Sequence, residues 1–268
     1  IGRYCRFLAI WESKLKLGES SPKSGLSAIA DMVLPRVCVV CGRPLLLQEK
    51  HICLCCLADM PETCFAAQSH NPMADRFNSA ISLFSGLVRE DVRYEPYAYA
   101  AALFYYSSDN GYANITRALK YRRDFGAGKF FAAMLGERLS GSVCFSDVDA
   151  VVPVPLHWTR RWKRGYNQAE VIAVQVARRL GCACMPGLLR RVHRTRTQTR
   201  LSGEDKRSNV AGAFAVSQHL RSIPHHILLV DDVFTSGSTL AACHAALREV
   251  FGPQTRISAA TLGFVGEE

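Results

Sequence analysis

Ile227, Leu228, Leu229 and Val230 form an apolar run with no polar alternation, the pattern of a strand covered on both faces of a parallel sheet and therefore central to it. Leu240, Cys243, His244, Leu247 and Phe251 follow at i, i+3, i+4, i+7 and i+11, so they share one face of a helix and assign its packing side. Ala150, Val151 and Val152 read as a second buried strand, stopped by Pro153-Val154-Pro155 because proline cannot donate to a ladder. Ala169, Ile172, Ala173, Val176 and Leu180 mark the apolar face of a helix over 168–180 that ends at Gly181. Upstream, residues 97–106 are strand-like, Asn110-Gly111 is a turn, and 115–122 read as a helix ending in the bases Lys120, Arg122 and Arg123. Those bases are either a solvated helix end or a phosphate-facing group. Phe131, Met134, Leu135 and Leu139 give another apolar helical face. Strands alternating with helices predict an α/β fold with a mainly parallel sheet.

Two stretches lack such periodicity. Residues 67–95 mix Asn, Pro, Ser and Arg with short apolar pairs and read as a linker between modules. Residues 193–214, HRTRTQTRLSGEDKRSNVAGAF, are polar and basic. A loop that long in a compact α/β domain is expected to be mobile, and either functional or disordered.

The chain of 268 residues is long enough for one sizeable core plus a small accessory module, and 49% hydrophobic with 21% charged residues is ordinary for a globular protein. Thirty-three Lys and Arg against 23 Asp and Glu leave a net charge of +10, which favours anionic partners such as a pyrophosphate-bearing metabolite or nucleic acid. The apolar FLAI near the start is too short for a secretory signal, and no apolar run approaches the roughly 20 residues of a membrane span. A cytoplasmic protein without membrane insertion is expected. Residues 1–27 begin with Ile1 rather than methionine and are treated as an extension.

The 11 cysteines are uneven, with Cys38, Cys41, Cys53, Cys55, Cys56 and Cys64 crowded into one short stretch. Cys38-x-x-Cys41 and Cys53-x-x-Cys56 can each offer two thiolates to a tetrahedral zinc. These four are assigned as ligands, with Cys55, Cys64 and His51 as contenders for a place. A site closed by thiolates is structural, stapling a segment poor in apolar core. Buried reduced thiols without metal are the plainer alternative.

The candidate chemistry lies after the central strand. Thr235, Ser236, Gly237, Ser238 and Thr239 are short enough to let backbone N–H groups and hydroxyls converge on one anion at a helix N-terminus. Asp231 and Asp232 stand at the carboxyl end of the strand, where open α/β sheets place ligands. Adjacent carboxylates repel unless a hydrogen donor or cation, such as ribose hydroxyls or magnesium, lies between them. An acidic turn capping the helix is the competing explanation. Neither a Walker loop nor a G-x-G-x-x-G fingerprint is present.

The residues VDDVFTSGST closely resemble the motif by which type I phosphoribosyltransferases bind phosphoribosyl pyrophosphate (PRPP). With the cysteine-rich segment ahead of it and RRWKRGYNQAE between its strands, the chain looks most like the ComF/GntX family. That resemblance implies the type I phosphoribosyltransferase fold, a twisted, mainly parallel sheet with flanking helices over 96–268. A small zinc-ribbon-like module over 28–66 precedes it. It implies that Asp231 and Asp232 hold the ribose hydroxyls and the 235–239 loop the 5′-phosphate, while Val154, Pro155, Leu156 and His157 contact pyrophosphate. The 193–214 segment resembles the flexible loop of glutamine amidophosphoribosyltransferase, through Thr195, Gln198, Leu201, Arg207 and Asn209. Lys206 or Arg207 would clamp the leaving pyrophosphate, with magnesium assisting. Family membership implies a role in natural transformation and DNA uptake. The bases at 117–123 and 158–164 and the aromatics Tyr121, Trp158, Trp162 and Tyr166 would then face single-stranded DNA or a helicase partner. The alternative is an active, amidophosphoribosyltransferase-like enzyme of nucleotide or amine metabolism with no DNA role. No acceptor pocket is readable from the residues.

Overall fold

The structure, a computed structural model, describes residues 36–88, 96–156, 162, 164–192, 213–217 and 222–266. Its centre is a sheet of five parallel strands: β1 (Ala100–Tyr105), β2 (Ala150–Pro153), β3 (Ala183–Cys184), β6 (His226–Phe234) and β7 (Arg256–Phe264). They lie in the order β1-β7-β6-β2-β3, so β6 is central, as its unbroken apolar run predicts. Ile227 to Val230 are fully buried. A short antiparallel ribbon, β4 (Leu189–Arg191) with β5 (Phe214–Val216), stands apart.

Helices cover both faces. On one, α4 (Phe125–Ser140) packs against α5 (Gln168–Leu180). On the other, α6 (Ser238–Phe251) packs against α2 (Pro72–Val88). The five residues assigned to the buried side of α6 are all buried, and α5 ends with Gly181 in the left-handed conformation, φ 71°.

Helix α2 corrects the expectation of a linker over 67–95. Asn71 Oδ1 accepts the Ala74 N–H at 2.9 Å, Pro72 opens the first turn and Asp75 lies within it, which together start a helix. Met73, Phe77, Ile81 and Phe84 are buried. Asn78 exchanges two hydrogen bonds with Ala98, at 2.8 and 2.9 Å, and so ties α2 to the entry of β1.

The connection runs β2 to β3 in one direction and β6 to β7 in the other. The carboxyl ends of β2 and β6 are therefore a topological switch point, the crevice where open α/β sheets bind ligands. The two prolines open that crevice. Pairing of β2 with β6 stops at Pro153 opposite Val230, with a last bond from the Val154 N–H to the Val230 carbonyl. β6 continues to Phe234 against β7 alone, so Asp231 and Asp232 lie within the strand where its β2 neighbour has ended.

The cysteine-rich segment sits on the domain. Glu62 bridges Phe104 on β1, Arg138 of α4 grips Glu62 with two bonds of 2.9 and 3.0 Å, and the Tyr112 hydroxyl donates to the Cys56 carbonyl at 2.8 Å.

Candidate functional site

Asp232 is buried and Asp231 half-buried. The Asp232 N–H donates to Asp231 Oδ1 at 2.8 Å, and Lys120 Nζ lies 2.8 Å from Asp232 Oδ2. Burial, followed by the Asp232 charge, pushes the Asp231 carboxyl up to about 7, against the Asp232 N–H, Lys120 and Arg191, which pull it down. Lys120 faces the acid pair, which is neither of the two uses read from the sequence, a solvated helix end or a phosphate-facing group. Residues 115–122 were expected to be one helix. Instead, α3 (Ala113–Arg117) gives way to a π-turn at Ala118–Arg122, and Arg123 then takes the left-handed conformation, φ 54°.

The loop after β6 folds as a cradle. Gly237, φ 75°, is the cap of α6. A Cβ at that position would come 2.8 Å from Phe234 Cζ, so glycine is required for both space and conformation. Gly237 supplies no side-chain cap to this 14-residue helix, and the Ser238 N–H lies 3.5 Å from Ser236 Oγ, at the end where the helix dipole favours an anion. Ser236 Oγ and Ser238 Oγ are 2.9 Å apart. Thr235 is fixed from outside by Arg76 of α2, whose Nη1 donates to the Thr235 carbonyl at 3.2 Å and the Val265 carbonyl at 2.8 Å. Its guanidinium lies over the Phe264 ring, 4.9 Å from the centroid.

Sequence reasoning missed Arg76 because the helix carrying it was not recognised; the Asn-Pro start and the spacing of Met73, Phe77, Ile81 and Phe84 held the signal. It also missed Arg191 on β4, whose charge acts on Asp231 while its guanidinium lies 5.4 Å from the Phe214 ring centroid.

Val154, Pro155 and Leu156 follow β2 at the same edge, Val154 buried and the other two half-buried. Asn167 caps α5 there, accepting the Ala169 N–H at 3.2 Å and donating to the Val154 carbonyl at 3.0 Å. The structure therefore brings the acid pair, the 235–239 loop and the end of β2 to one crevice. His157, Lys206 and Arg207 lie outside the described residues, as do Trp158, Thr195, Gln198, Leu201 and Asn209. The segment expected to be a loop over 193–214 is described only at its end, where Ala213 is buried and Phe214 begins β5.

The sulfurs of Cys38, Cys41, Cys53 and Cys56 lie within 4.8 Å of one another, the four cysteines assigned from spacing. Cys41 and Cys53 Sγ are 3.8 Å apart. A tetrahedral zinc with bonds of about 2.3 Å requires sulfurs roughly 3.8 Å apart, so the cluster can hold a structural zinc. Backbone N–H groups of Cys53 and Cys56 point at Cys38 Sγ and Cys53 Sγ, both at 3.4 Å. Burial raises the Cys38 thiol, but backbone N–H groups from Cys41, Cys53 and Val40 outweigh it and hold the thiol at about 7. Cys55 and Cys64 are exposed and outside the cluster, while His51 packs on Phe130, ring centroids 5.7 Å apart.

The fold and the cysteine cluster define an α/β protein with a mainly parallel sheet and a zinc-ribbon-like module at its amino-terminal side. No known family profile matches the chain. Among curated proteins it is 40% identical over 103 residues to competence protein F of Haemophilus influenzae, covering 38% of this chain and 45% of that protein. It is 39% identical over 93 residues to DNA utilization protein YhgH of Salmonella typhimurium, and 36% identical over 93 to that of Escherichia coli K12. The matches cover 35% of this chain and 40% of each enterobacterial protein. The chain thus spans less than half the length of the curated relatives it matches. Over the matched stretch the chain is similar to these relatives.

Among the described residues, no helix is long and apolar enough to cross a membrane.

Proposed function

We propose that this chain is a ComF-like, PRPP-binding cytoplasmic protein that acts in natural transformation and DNA uptake. The observation that carries the ligand is the meeting of Asp231, Asp232 and the 235–239 cradle at the switch point. Carboxylates accept from vicinal ribose hydroxyls, and an open helix N-terminus with neighbouring hydroxyls takes a phosphate. Val154 to Leu156 lie where the diphosphate would face them, and magnesium bound with the ligand would neutralise part of its charge. Any transfer would break the anomeric C–O bond as a nucleophile attacks that carbon, with pyrophosphate leaving with the bonding pair. His157, Lys206 and Arg207 keep the roles that the family resemblance implies.

The DNA role is supported by the names of the relatives, one a competence protein and others DNA utilization proteins. A surface of suitable chemistry adjoins the crevice. Tyr121 and Trp162 are 72% and 88% exposed, and Arg164 lies over the Tyr121 ring, 5.6 Å from its centroid. Exposed rings among bases suit stacking and backbone contact with single-stranded DNA, and a DNA-uptake helicase is the protein partner that fits this role. The module at the amino-terminal side would be held by zinc, with residues 96–268 as the phosphoribosyltransferase-like unit.

Two assays on the full chain test the reading: pyrophosphate release from PRPP and magnesium with candidate amine and base acceptors, and binding of single-stranded DNA across a salt series. PRPP binding with DNA affinity that falls steeply as salt rises is expected. Turnover with no DNA binding would favour the metabolic enzyme instead.

A further inference from the structure

Lys120 lies outside α-helical geometry. It sits in the π-turn Ala118–Arg122, which closes on Arg123 in the left-handed conformation. Such turns and non-glycine left-handed residues cost energy, persist only where surroundings enforce them, and cluster at functional sites. The surroundings are explicit here. The Tyr166 hydroxyl donates to the Leu119 carbonyl, Arg123 donates to the Arg164 carbonyl at 3.4 Å, and Asp124 starts α4 by accepting the Ala127 N–H at 2.9 Å. The strained turn delivers one ammonium to Asp232, at 2.8 Å. The Lys120 side chain remains 25% exposed and that of Asp232 12%, so the pair is open at the crevice rather than sealed in the core.

We propose that Lys120 is an exchangeable counter-ion: it neutralises Asp232 while the crevice is empty and passes to the ligand's diphosphate when the ribose hydroxyls take the carboxylate. This rests on the PRPP reading of the crevice. The chemistry of the ligand supplies the direction. In PRPP the diphosphate is on the carbon next to the first of the vicinal hydroxyls, so a carboxylate that holds those hydroxyls has the diphosphate as its near neighbour. A diphosphate carries more negative charge than one carboxylate, and a long flexible lysine stem can follow the larger charge with a short swing. Lys120 therefore discriminates between ligands that carry the diphosphate and those that do not. Without the diphosphate, a ligand must displace the ammonium from Asp232 and offers it nothing in return.

The test compares PRPP with ribose 5-phosphate, both with magnesium, by calorimetry on the wild type, Lys120→Met and Lys120→Arg, with thermal unfolding as a check on folding. Lys120→Met is expected to lose PRPP affinity by about tenfold or more, the worth of a charge-assisted contact, while its affinity for ribose 5-phosphate is unchanged or higher. Lys120→Arg, which keeps the charge, should retain PRPP binding. Equal losses for both ligands in Lys120→Met would make Lys120 only a support for the acid pair and overturn the proposal, as would unchanged PRPP affinity. Should Lys120→Met fail to fold, a Lys120→Arg protein that folds but loses both ligands alike overturns it as well. A wild type that binds neither ligand overturns the PRPP reading, and this role with it.

Discussion

Tyr112 Oη donates to the carbonyl of Cys56, a proposed metal ligand, at 2.8 Å, one residue before the short helix that leads into the Lys120 turn. The other end of that segment is also held by the metal module. His51 packs on Phe130, and a Cβ on Gly126 would come 2.7 Å from its ring. The module thus buttresses the segment that supplies the cation at Asp232, and the two centres are mechanically linked.

Metal removal should therefore reach the crevice. Protein purified without chelators is expected to carry one zinc per chain by elemental analysis, and stripping it should weaken PRPP binding as well as loosen the module. Full PRPP affinity in metal-free protein would contradict the linkage; an absence of zinc would contradict the four-thiolate site.

The protonation of Asp231 sets a second prediction. Its carboxyl is raised to about 7, above its unfolded value, so the stability it contributes is fully present below about pH 4 and is lost as pH rises through about 7. Because a tenfold change in proton affinity is worth about 1.4 kcal/mol, Asp231→Asn should stabilise the protein at pH 8 and change little at pH 4. Ligand binding that requires the carboxylate should strengthen as pH rises through about 7 and release a proton there. Calorimetry in buffers of differing ionisation enthalpy measures that proton, and pH-independent affinity would count against it.

His226 makes the opposite demand at the amino end of the sheet. It is fully buried, with Nδ1 2.7 Å from Asp147 and Nε2 2.8 Å from Ser258 Oγ. Burial outweighs the Asp147 carboxylate and lowers its pKa. The unfolded chain takes up the proton more readily, so stability should fall as pH drops below about 6.5. His226→Gln is expected to flatten that slope in urea titrations between pH 5 and 7; an unchanged slope would place the dependence elsewhere. Asp147, lowered chiefly by His226 and Arg256 against its burial, acts in a more acidic window and is separable.

Gly237→Ala should cost roughly 1–3 kcal/mol of stability from the left-handed backbone, with added pressure on Phe234, and should lose ligand affinity because the first turn of α6 shifts. Denaturant unfolding and calorimetry check the two halves; normal ligand affinity would remove the cradle from the account.

Much of the frame was legible because burial is written in period. The unbroken run at 227–230 marks a strand covered on both faces, the spacing from Leu240 to Phe251 marks one helix face, and Pro153-Val154-Pro155 marks where β2 must stop. The two Cys-x-x-Cys pairs likewise identify the cluster, although spacing alone could not exclude Cys55, Cys64 or His51. The turn carrying Lys120 was not legible in this way. Its α-to-π change is imposed by tertiary bonds to Leu119 and Arg123, not by local propensity. Arg76 and Arg191 act across distances of more than a hundred and about forty residues respectively, on Thr235 and Asp231, which no local pattern records. Helix α2 was not read from the sequence: Asn71-Pro72 and its apolar spacing held the signal, but the surrounding polar residues obscured it.

The central claim is tested most directly by titrating PRPP with magnesium into the full chain and into the Asp231→Asn, Asp232→Asn double variant, with circular dichroism to verify folding. Saturable binding at one site per chain, lost in the folded double variant, is the predicted result. No heat of binding to the well-folded wild type, or equal affinity in both proteins, would contradict it.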